Sequence, residues 1–494
     1  MLRVRPGESV PADGRVISGT TCIDQSLITG ESVSVDRTVG DEVFGGTVNQ
    51  FGTFDMVAER DGNDCSIQRM ARLVSSADAG KSKAVSLADR WATWIVMLII
   101  VIAGSTYIIT SDIVRTVAVL VVFCPCAFIL ATPTAIVAAI GNASRHGFLV
   151  RDGGSLERLA RVSRIIFDKT GTLTYGRLEV VSVVPADNIS KKELYALAAS
   201  AESGSEHPIA KAIVSGYGKK WDDMPRPSDC TSVPGLGFTA SVSGRKVVIG
   251  NMRMMEANDI SVPRIESVPS TAVYVACDGR YAGYIGLSDT SRESAGQAVS
   301  KMKELSVEPV LATGDSEAPA IAVADSVGIG EVHHGCLPED KLALVKKYSS
   351  EGGVCMVGDG INDAPSLKAA DVGISMGGIG SDIAIEASDI VAVSDSIDRI
   401  PKLIELSRRM MSKIRFNIAV ALVINVIAVS LAVAGMLSPV AAALVHNAGS
   451  VFVVANSALI LGFGWSDRSG RNRGPSQLIR RFPSAVYEEA EPSK

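Results

Sequence analysis

The chain has 494 residues, which suggests about three domains, and its 47% hydrophobic content is high for a soluble protein but low for one lying wholly in a membrane. This mixture indicates soluble domains joined to a few membrane spans. The 48 basic and 53 acidic residues leave a net charge of −5 without a broad basic field, so nucleic acid is not an expected partner. The eight cysteines are scattered, with one close pair, which indicates a reducing compartment and excludes a disulfide framework.

The first 75 residues predict a small β domain. Val, Gly, Thr and Asp are frequent, and turn signals such as Pro6-Gly7 and Val39-Gly40-Asp41 separate short strand-like runs. No apolar core follows the initial charges, so a signal peptide is not expected. The domain carries Thr29-Gly30-Glu31-Ser32, which taken alone is an ordinary polar turn.

Four almost wholly apolar stretches lie at residues 93–110, 116–140, 418–436 and 439–463. Each reaches or nearly reaches the length of about 20 residues that crosses a bilayer as a helix. The links within each pair are too short to hold a domain, so the four spans form two hairpins. Basic residues cluster on the other side of each hairpin, and the positive-inside rule then places both termini and the large intervening loop in the cytoplasm.

That loop, residues 142–415, alternates strand-like and helix-like runs, as is typical of a doubly wound parallel sheet. The candidate parallel strands are residues 164–167, 309–312, 353–358 and 389–393. Residues 178–285 form an inserted segment with a predicted helix at 191–203 and four strand-like runs, at 238–242, 246–249, 272–277 and 281–285. The polar tail, residues 465–494, is predicted to be mostly disordered.

The loop from Asp168 to Thr174, with the sequence DKTGTLT, follows the apolar run from Val162 to Phe167. Open α/β sheets bind their ligands at the carboxyl ends of strands. A carboxylate there can act as a nucleophile and form an acyl-phosphate. Lys169 can offset phosphate charge, and the loop hydroxyl and N–H groups can bind phosphoryl oxygens. The alternative is a purely structural turn.

Together with other motifs, this loop resembles the P-type ATPases. TGES at residues 29–32, CPC at 124–126, EHP at 206–208, TGD at 313–315 and GDGINDAP at 358–365 follow in family order. CPC and EHP resemble the heavy-metal-transporting (type IB) branch. The resemblance covers residues 1 to about 461 and gives the order of the parts. It implies three soluble parts: a partial small β actuator domain (1–75), an α/β haloacid-dehalogenase-like phosphorylation domain (142–177 and 286–415), and an α+β nucleotide-binding domain inserted into the latter (178–285). It also implies two transmembrane hairpins (76–141 and 416–464), which together give four transmembrane helices. A polar cytoplasmic tail (465–494) follows.

The resemblance also implies roles for individual residues. Asp168 would be phosphorylated by ATP, and Glu31 would direct the water that hydrolyses the aspartyl-phosphate. Asp168, Asp359 and the Thr170 carbonyl would bind Mg²⁺, which prefers oxygen ligands. The remaining residues of the implied catalytic set are Lys169, Thr313, Gly314, Asp315, Lys341, Asn362 and Asp363. The implied adenine-binding set is Glu202, His207, Gly235, Gly237 and Asn251.

Two patches of polar residues lie at membrane depth. Cys124-Pro125-Cys126 combines a helix-breaking proline with two thiols that suit soft or borderline metals, although buried thiols near a kink are the alternative. The second patch contains His446 and four asparagines in or next to the last two spans, which could serve either a functional site or helix packing. These asparagines are Asn417, Asn425, Asn447 and Asn456.

Cys124, Cys126 and His446 are the predicted ligands of the transported ion. Copper pumps of this branch carry Tyr-Asn in the first of the last two spans, where this chain has Ile424-Asn425, and a methionine where it has His446. Zinc pumps carry a lysine at the place of Asn425 and an aspartate at that of Asn447. Replacing a thioether with an imidazole favours a divalent ion such as Zn²⁺, Mn²⁺ or Co²⁺ over Cu⁺.

The resulting hypothesis is ATP-driven translocation of a heavy-metal cation across a lipid bilayer, expected to be the cell membrane. Members of this branch usually have four spans before the β domain, so the resemblance implies an N-terminally truncated member or one completed by a second polypeptide. A membrane-anchored dehalogenase-like phosphatase or ATPase without transport is an alternative, but Thr170 stands where such phosphatases carry a second aspartate. An inactive fragment is the third possibility.

Overall fold

The computed structural model describes residues 1–25, 34–59, 87–122, 126–187, 189–205, 207–218, 224–233, 235–263, 271–377, 382–393 and 396–465. The chain divides into two compact units, residues 1–85 with 149–408 and residues 86–148 with 409–494. Glu31, Cys124 and the predicted tail beyond Trp465 lie outside the described residues, and so does the side chain of Cys126, whose backbone begins a helix.

The N-terminal residues form two small sheets. Their strands are β1 (Leu2–Val4), β2 (Gly14–Gly19), β3 (Thr21–Asp24), β4 (Val35–Arg37), β5 (Glu42–Val43), β6 (Val48–Phe51) and β7 (Phe54–Ala58). The strand orders are β1-β7-β2-β5 and β4-β3-β6. One apolar core stabilises this arrangement, and it consists of Val4, Val10, Val16, Ile23, Val43, Phe54 and Met56. The predicted small β domain is confirmed.

A seven-stranded sheet forms the centre of the same unit, with the order β17-β16-β9-β18-β19-β20-β8. These strands are β8 (Phe148–Val150), β9 (Val162–Phe167), β16 (Glu308–Ala312), β17 (Glu331–His333), β18 (Gly353–Gly358), β19 (Val372–Met376) and β20 (Ile390–Ala392). The six strands β17, β16, β9, β18, β19 and β20 pair in parallel, each with its neighbours in this order. The accompanying helices are α4 (Gly153–Leu159), α8 (Ala295–Glu304), α9 (Glu317–Val327), α10 (Pro338–Glu351), α11 (Ala364–Ala369) and α12 (Asp382–Ala387).

An antiparallel six-stranded sheet is inserted between β9 and β16, in the order β10-β15-β14-β13-β12-β11. Its elements are β10 (Thr174–Pro185), α5 (Lys191–Glu202), α6 (Pro208–Tyr217), β11 (Ser228–Val233), β12 (Gly237–Val242), β13 (Arg245–Gly250), α7 (Met252–Ala257), β14 (Thr271–Cys277) and β15 (Arg280–Ser291). The long strands β10 and β15 pair from Thr174 with Ser291 to Pro185 with Gly283. The domain limits predicted at residues 178 and 285 therefore fall inside this pair of strands.

The second unit consists of apolar helices. They are α1 (Leu87–Thr110), α2 (Ile113–Val122), α3 (Cys126–Arg145), α14 (Pro439–Ala458) and the part of α13 (Ile400–Val433) that follows Arg408. Within the described residues, three segments have the length and composition to cross a membrane, Ile113–Arg145, Ile397–Val433 and Pro439–Gly462, and Met97–Thr110 is a shorter apolar helix. Large side chains such as Ile108, Val137 and Leu444 are exposed on these helices. Such a surface suits contact with lipid.

Candidate active site

The candidate nucleophile lies at the carboxyl end of the central strand of the parallel sheet. β9 pairs with β16 on one side and with β18 on the other, so the residues after Phe167, Ala312 and Gly358 emerge side by side. Asp168 follows β9 directly, and its backbone N–H donates to Val357 O at 3.0 Å. Only 3% of Asp168 is exposed. Three motifs that are far apart in the sequence thus meet at one edge of the sheet.

The loop after Asp168 requires a glycine. Gly171 has φ 70°, in the left-handed region, and a Cβ at this position would lie 1.6 Å from Asp359 Oδ2. Arg292 holds this loop from the side, because its Nη2 donates to Gly171 O at 2.8 Å and its Nε to Thr174 O at 3.1 Å. Arg292 is 9% exposed and was not among the predicted site residues.

Asp289 is a second residue of the site that the sequence did not predict. It accepts a hydrogen bond from Thr174 Oγ1 and another from the backbone N–H of Gly176 at 3.0 Å. Desolvation raises the pKa of Asp289, and the hydrogen bond from Thr174 and the charge of Lys169 offset part of this rise. Asp289 and Arg292 both lie on the return from the inserted domain, and together they anchor the start of β10 to the catalytic loop.

Lys341 joins two carboxylates of the site. It lies in the first turns of α10, and its Nζ donates to Asp168 Oδ1 at 2.5 Å and to Asp363 Oδ1 at 2.8 Å. Lys341 is 1% exposed and Asp363 is fully buried. Desolvation lowers the pKa of Lys341, but the charges of Asp168 and Asp363 outweigh it and raise the pKa overall. Lys341 is therefore charged and offsets buried negative charge.

The negative charge nevertheless exceeds what one lysine can neutralise. Asp168, Asp359 and Asp363 present carboxylate oxygens that lie within 4.8 Å of one another. Burial, with the charges of Asp168 and Asp363, raises the pKa of Asp359 to about 8. The pKa of Asp363 is raised by burial and by Asp168, and Lys341 offsets part of this rise. A cation among these carboxylates would remove the repulsion between them.

Buried oxygen atoms in the two motifs that form this cluster also fit a cation. Within the described part of the chain, Asp363 Oδ2, Asn362 Oδ1 and Thr172 Oγ1 are buried and have no hydrogen-bond partner in the protein. Such atoms cost free energy unless a ligand satisfies them. A set of hard, mostly anionic oxygen donors suits Mg²⁺. Of the predicted Mg²⁺ ligands, Asp168 and Asp359 belong to this cluster, and Thr170 lies buried in the adjacent loop.

The TGD turn follows β16 and contacts the DKTGTLT loop. Lys169 Nζ donates to Asp315 Oδ2, and the Asp315 backbone N–H donates to Thr313 Oγ1 at 3.2 Å. Thr313 is 1% exposed, and its carbonyl accepts from the backbone N–H of Cys336 at 2.9 Å. Lys169 is thus held at the edge of the carboxylate cluster by a residue of a second loop.

The residues of the predicted adenine-binding set line one cavity of about 240 Å³ in the inserted domain. They are Glu202, His207, Gly235, Gly237 and Asn251. Asn251 caps α7 by accepting from the Met254 backbone N–H at 3.0 Å, and its Nδ2 donates to Gly235 O at 2.9 Å. Asn251 therefore shapes the glycine-containing wall of the cavity as well as lining it.

Burial changes the ionisation of both titratable groups of this set. Desolvation raises the pKa of Glu202 to about 7 and lowers the pKa of His207, where the charge of Asp36 offsets part of the effect. His207 Nδ1 accepts from the Ile209 backbone N–H at 3.3 Å, which leaves the proton of the neutral imidazole on Nε2. Near neutral pH the cavity can therefore offer a carboxyl proton and an imidazole N–H as hydrogen-bond donors.

Two of the asparagines in the apolar helices, Asn417 and Asn456, are used in helix packing. Asn456 Nδ2 donates to Asn417 Oδ1 at 2.6 Å, and Asn417 Nδ2 donates to Ser457 Oγ at 2.9 Å. Lys413 Nζ donates to Asn456 Oδ1 at 2.7 Å. These bonds join α13 to α14. Of the two roles left open by the sequence for Asn417 and Asn456, function or helix packing, the contacts correspond to helix packing.

His446 is half-buried on α14, and Asn425 is buried on α13. Cys124 and the Cys126 side chain lie outside the described residues, so the grouping of two thiols with His446 stays a prediction.

Comparisons with known proteins agree with this fold and site. A P-type ATPase actuator domain model matches residues 1–75, and a haloacid dehalogenase-like hydrolase model matches residues 162–371. The chain is 39% identical over 488 residues to a probable copper-exporting P-type ATPase V of Mycobacterium tuberculosis, covering 95% of this chain and 63% of that protein. It is 36% identical over 482 residues to a silver exporting P-type ATPase of Salmonella typhimurium, covering 92% and 58%. The chain thus spans roughly three fifths of the length of these curated relatives.

A solved structure also matches the chain in three dimensions. A zinc-transporting PIB-type ATPase in the E2.Pi state superposes with a TM-score of 0.84 and 33% sequence identity, covering 93% of this chain and 78% of that one. The fold and the aspartate-centred site therefore define the P-type ATPase class. More particularly, the chain belongs to the heavy-metal-transporting, type IB, branch of that family, and it is an integral membrane protein. The predicted family and fold class are confirmed.

Proposed function

We propose that this chain couples ATP hydrolysis to the translocation of a heavy-metal cation, through phosphorylation of Asp168. The observation that supports this most is the buried contact of Lys341 with both Asp168 and Asp363, beside Asp359. A phosphoryl group in transfer needs positive charge around it and a nucleophile held in line. This cluster provides a carboxylate nucleophile, a buried cation and oxygen donors at the same edge of the sheet.

In the first step, an Asp168 carboxylate oxygen attacks the γ-phosphorus of ATP. The new oxygen–phosphorus bond forms as the bond from phosphorus to the β–γ bridging oxygen breaks, and ADP leaves. Lys341 holds the carboxylate in place and offsets the charge of the phosphoryl oxygens. Asp168, Asp359 and the Thr170 carbonyl would hold Mg²⁺, with Asp363 and Asn362 nearby, and the ion would supply further charge neutralisation.

The TGD turn and Lys169 would bind the phosphoryl group after transfer. Lys169 is paired with Asp315, so it can move its hydrogen bond to a phosphoryl oxygen over a short distance. The Thr313 hydroxyl and the Gly314 backbone lie on the same turn. Water then attacks the phosphorus and displaces the Asp168 carboxylate. The resemblance assigns the direction of this water to Glu31.

ATP would place its adenine in the cavity of the inserted domain. Protonated Glu202 and the His207 Nε2–H can donate to ring nitrogens, while Gly235 and Gly237 allow close approach of the backbone. Asn251 keeps the Gly235 segment in position through its hydrogen bond to Gly235 O.

The phosphorylation step is tested with purified chain, ATP labelled at the γ-phosphate, and Mg²⁺. A phosphoenzyme that is stable in acid and cleaved by hydroxylamine is expected, because acyl-phosphates react with amines. Asp168→Asn should abolish it, whereas Asp325→Asn, which makes the same change at an exposed site on α9, should not. Labelling that persists in Asp168→Asn would overturn the assignment. Release of phosphate without a trapped aspartyl-phosphate would favour the phosphatase alternative.

We further propose that the transported ion is divalent, with Zn²⁺, Mn²⁺ or Co²⁺ favoured over Cu⁺. Two relatives are named as copper and silver exporters, whereas the superposed structure is of a zinc transporter. Because these proteins are named for different metals, the proposal rests on the residues of this chain. His446 would complete a mixed set of sulfur and nitrogen ligands with Cys124 and Cys126. Such a set binds borderline ions well and offers Cu⁺ less than sulfur alone would.

This choice of metal is tested by ATP hydrolysis of the chain in lipid vesicles. Zn²⁺, Mn²⁺ or Co²⁺ should stimulate hydrolysis more than Cu⁺ or Ag⁺, and Cys124→Ser with Cys126→Ser should remove the stimulation. His446→Met should shift the preference toward Cu⁺, while His334→Met, at an exposed site outside the apolar helices, should not. Stimulation of the wild-type chain by Cu⁺ alone would refute the divalent preference.

The positions of the basic residues support an orientation in which both termini and the catalytic domains lie in the cytoplasm. The membrane that the helices cross is proposed to be the cell membrane. Accessibility of Cys230, which is exposed in the inserted domain, to a membrane-impermeant thiol reagent in intact cells would contradict this orientation.

A further inference from the structure

The cavity that holds the adenine-binding set has a second wall, which comes from the actuator domain. Besides residues of the inserted domain, its lining includes Cys22, Ser34, Asp36 and Phe51. These four residues belong to, or lie directly before, the strands of the small sheet β4-β3-β6. The actuator domain therefore lines one side of the cavity in this structure.

Three of these residues lie in one row across that sheet. Cys22 on the central strand β3 pairs with Asp36 on β4 and with Phe51 on β6. Residues paired directly across neighbouring strands project from the same face of a sheet. Asp36, Cys22 and Phe51, here called the actuator row, thus form one continuous surface directed at the inserted domain.

The actuator row contacts His207, the residue that the ATP proposal places against adenine. Cys22 Sγ lies 3.9 Å from His207 Nε2, and the ring centroids of Phe51 and His207 are 6.2 Å apart with planes inclined by 28°. Cys22 is 3% exposed, and desolvation raises the pKa of its thiol to about 12, so the thiol is neutral. The Nε2–H and one face of the imidazole are thus engaged by the actuator domain.

The third member of the actuator row brings negative charge to the glycine-containing wall. A Cβ built on Gly235 would lie 3.5 Å from the Asp36 carboxyl carbon. Burial raises the pKa of Asp36, and the hydrogen bond from Cys22 and the positive charge of Arg253 offset part of this rise. A carboxylate here repels the phosphates of an incoming nucleotide. It also attracts the positive charge of Arg253, which would otherwise be available to those phosphates.

We propose that the actuator row is a lid that competes with ATP for the cavity. In the closed arrangement Phe51 and Cys22 cover His207, and Asp36 repels the phosphates. ATP binds when the actuator row has moved away, so the measured affinity is lowered by the fraction of molecules that are closed. The inference rests on the proposed function, because it takes this cavity as the ATP site.

Equilibrium binding to the full chain tests the lid, with ATP, ADP and adenosine as probes in the absence of Mg²⁺. Asp36→Asn should tighten binding of ATP by about tenfold or less, with a smaller gain for ADP and the smallest for adenosine, since the repulsion scales with charge. Phe51→Ala should tighten all three alike. Glu42→Gln, which removes one charge from an exposed position of the actuator domain, should change nothing. Unchanged or weaker binding in both lid variants would overturn the proposal.

A reversible cross-link tests the contact itself. The Cβ position at Gly235 lies 3.6 Å from Asp36 Cβ, which is within the range of disulfides. The double variant Asp36→Cys with Gly235→Cys should cross-link on oxidation and then bind ATP more weakly than the same variant does when reduced, so that any loss caused by Gly235→Cys itself is common to both states. Asp36→Cys alone is the control for pairing with native cysteines. Absence of the cross-link, or ATP binding that survives it, would refute the lid.

Failure of the ATP site itself would look different. Glu202→Ala alters the cavity from the side of the inserted domain and should weaken ATP binding. If this variant binds ATP like the wild-type chain, the cavity is not the ATP site and the lid proposal falls with it. If it weakens binding while the lid variants and the cross-link have no effect, the ATP site stands and the lid alone is wrong.

Discussion

The phosphorylation site and the asparagine pair between α13 and α14 are both buried polar groups, but they are stabilised in opposite ways. The phosphorylation site gathers ions, with Lys341 between Asp168 and Asp363 and with Asp359 beside them. In the helix pair, Asn417 and Asn456 are neutral and bind each other and nearby side chains. Burying a charge costs several kcal/mol more than burying an amide that is hydrogen-bonded.

The difference indicates which of the two regions acts on a ligand. The three carboxylates exceed the charge of Lys341, and Asp363 Oδ2 and Asn362 Oδ1 have no hydrogen-bond partner among the residues that the structure describes. The site therefore needs something from outside to satisfy it. The asparagine pair satisfies its own amides, which suits a structural role. Changing the two regions should accordingly affect different properties, catalysis in one and helix association in the other.

The largest effect is expected from Lys341→Met. Removing the ammonium group leaves the buried Asp168 and Asp363, beside the half-buried Asp359, without its compensation and takes away the positive charge next to the nucleophile. The rate of phosphoenzyme formation should fall by about 10³-fold or more. The measurement is the rate of incorporation of label from ATP into the purified chain.

The matched control for this change is Lys346→Met, since Lys346 is exposed on the same helix α10. It should leave the rate unchanged. A folded Lys341→Met chain that is phosphorylated at the normal rate would remove the distinction drawn between the two regions, because the buried ion pair would then be structural only.

Much of the phosphorylation domain could be predicted because its chemistry lies in short motifs that follow apolar strands. Gly353–Gly358 was predicted with the bounds that the structure shows, and Arg164–Phe167 lacked only two residues of β9. The strand Val372–Met376 was not predicted. It is short and contains Gly373 and Ser375, so its burial comes from the neighbouring strands β18 and β20 rather than from a marked apolar run.

Residues that act through tertiary contacts gave no signal of their own. Arg292 and Asp289 reach the catalytic loop only because β15 returns beside β10. The actuator row depends on the register of three strands, one of which contains an irregularity directly after Cys22. Register is set by the pairing of strands, which residue types alone do not fix.

Glu202 lies between the two extremes, as a single buried carboxyl group whose ionisation depends on pH. Burial raises its pKa from 4.5 to about 7. Between these values the folded chain keeps the proton and the unfolded chain releases it, so the free energy of unfolding should fall as pH rises, by about 3 kcal/mol in total. The full contribution is present below pH 4.5 and is lost as pH rises through 7.

Glu202→Gln should flatten this dependence, because an amide does not titrate. The measurement is denaturant unfolding of the full chain in detergent between pH 5 and 8, compared with Glu256→Gln, an exposed glutamate on α7 of the same domain. The same slope in Glu202→Gln and wild type would contradict the raised pKa of Glu202, because the carboxyl group would then ionise alike in the folded and the unfolded chain.

The smallest effect is expected from the asparagine pair. Asn417→Ala removes the bonds to Asn456 and Ser457 and leaves the polar groups of both residues to find other partners. Within a membrane such interhelical bonds contribute about 1 kcal/mol, so the midpoint of unfolding in detergent should fall slightly, while phosphoenzyme formation should be unchanged. Ser430→Ala is the control, because Ser430 is exposed on α13 and bonds only to Val426 O of its own helix in the described part of the chain. If Asn417→Ala instead abolished phosphorylation or metal stimulation without loss of stability, the asparagine pair would belong to the transport machinery. A buried polar group whose hydrogen bonds are all made within the protein could then not be taken as purely structural in this chain.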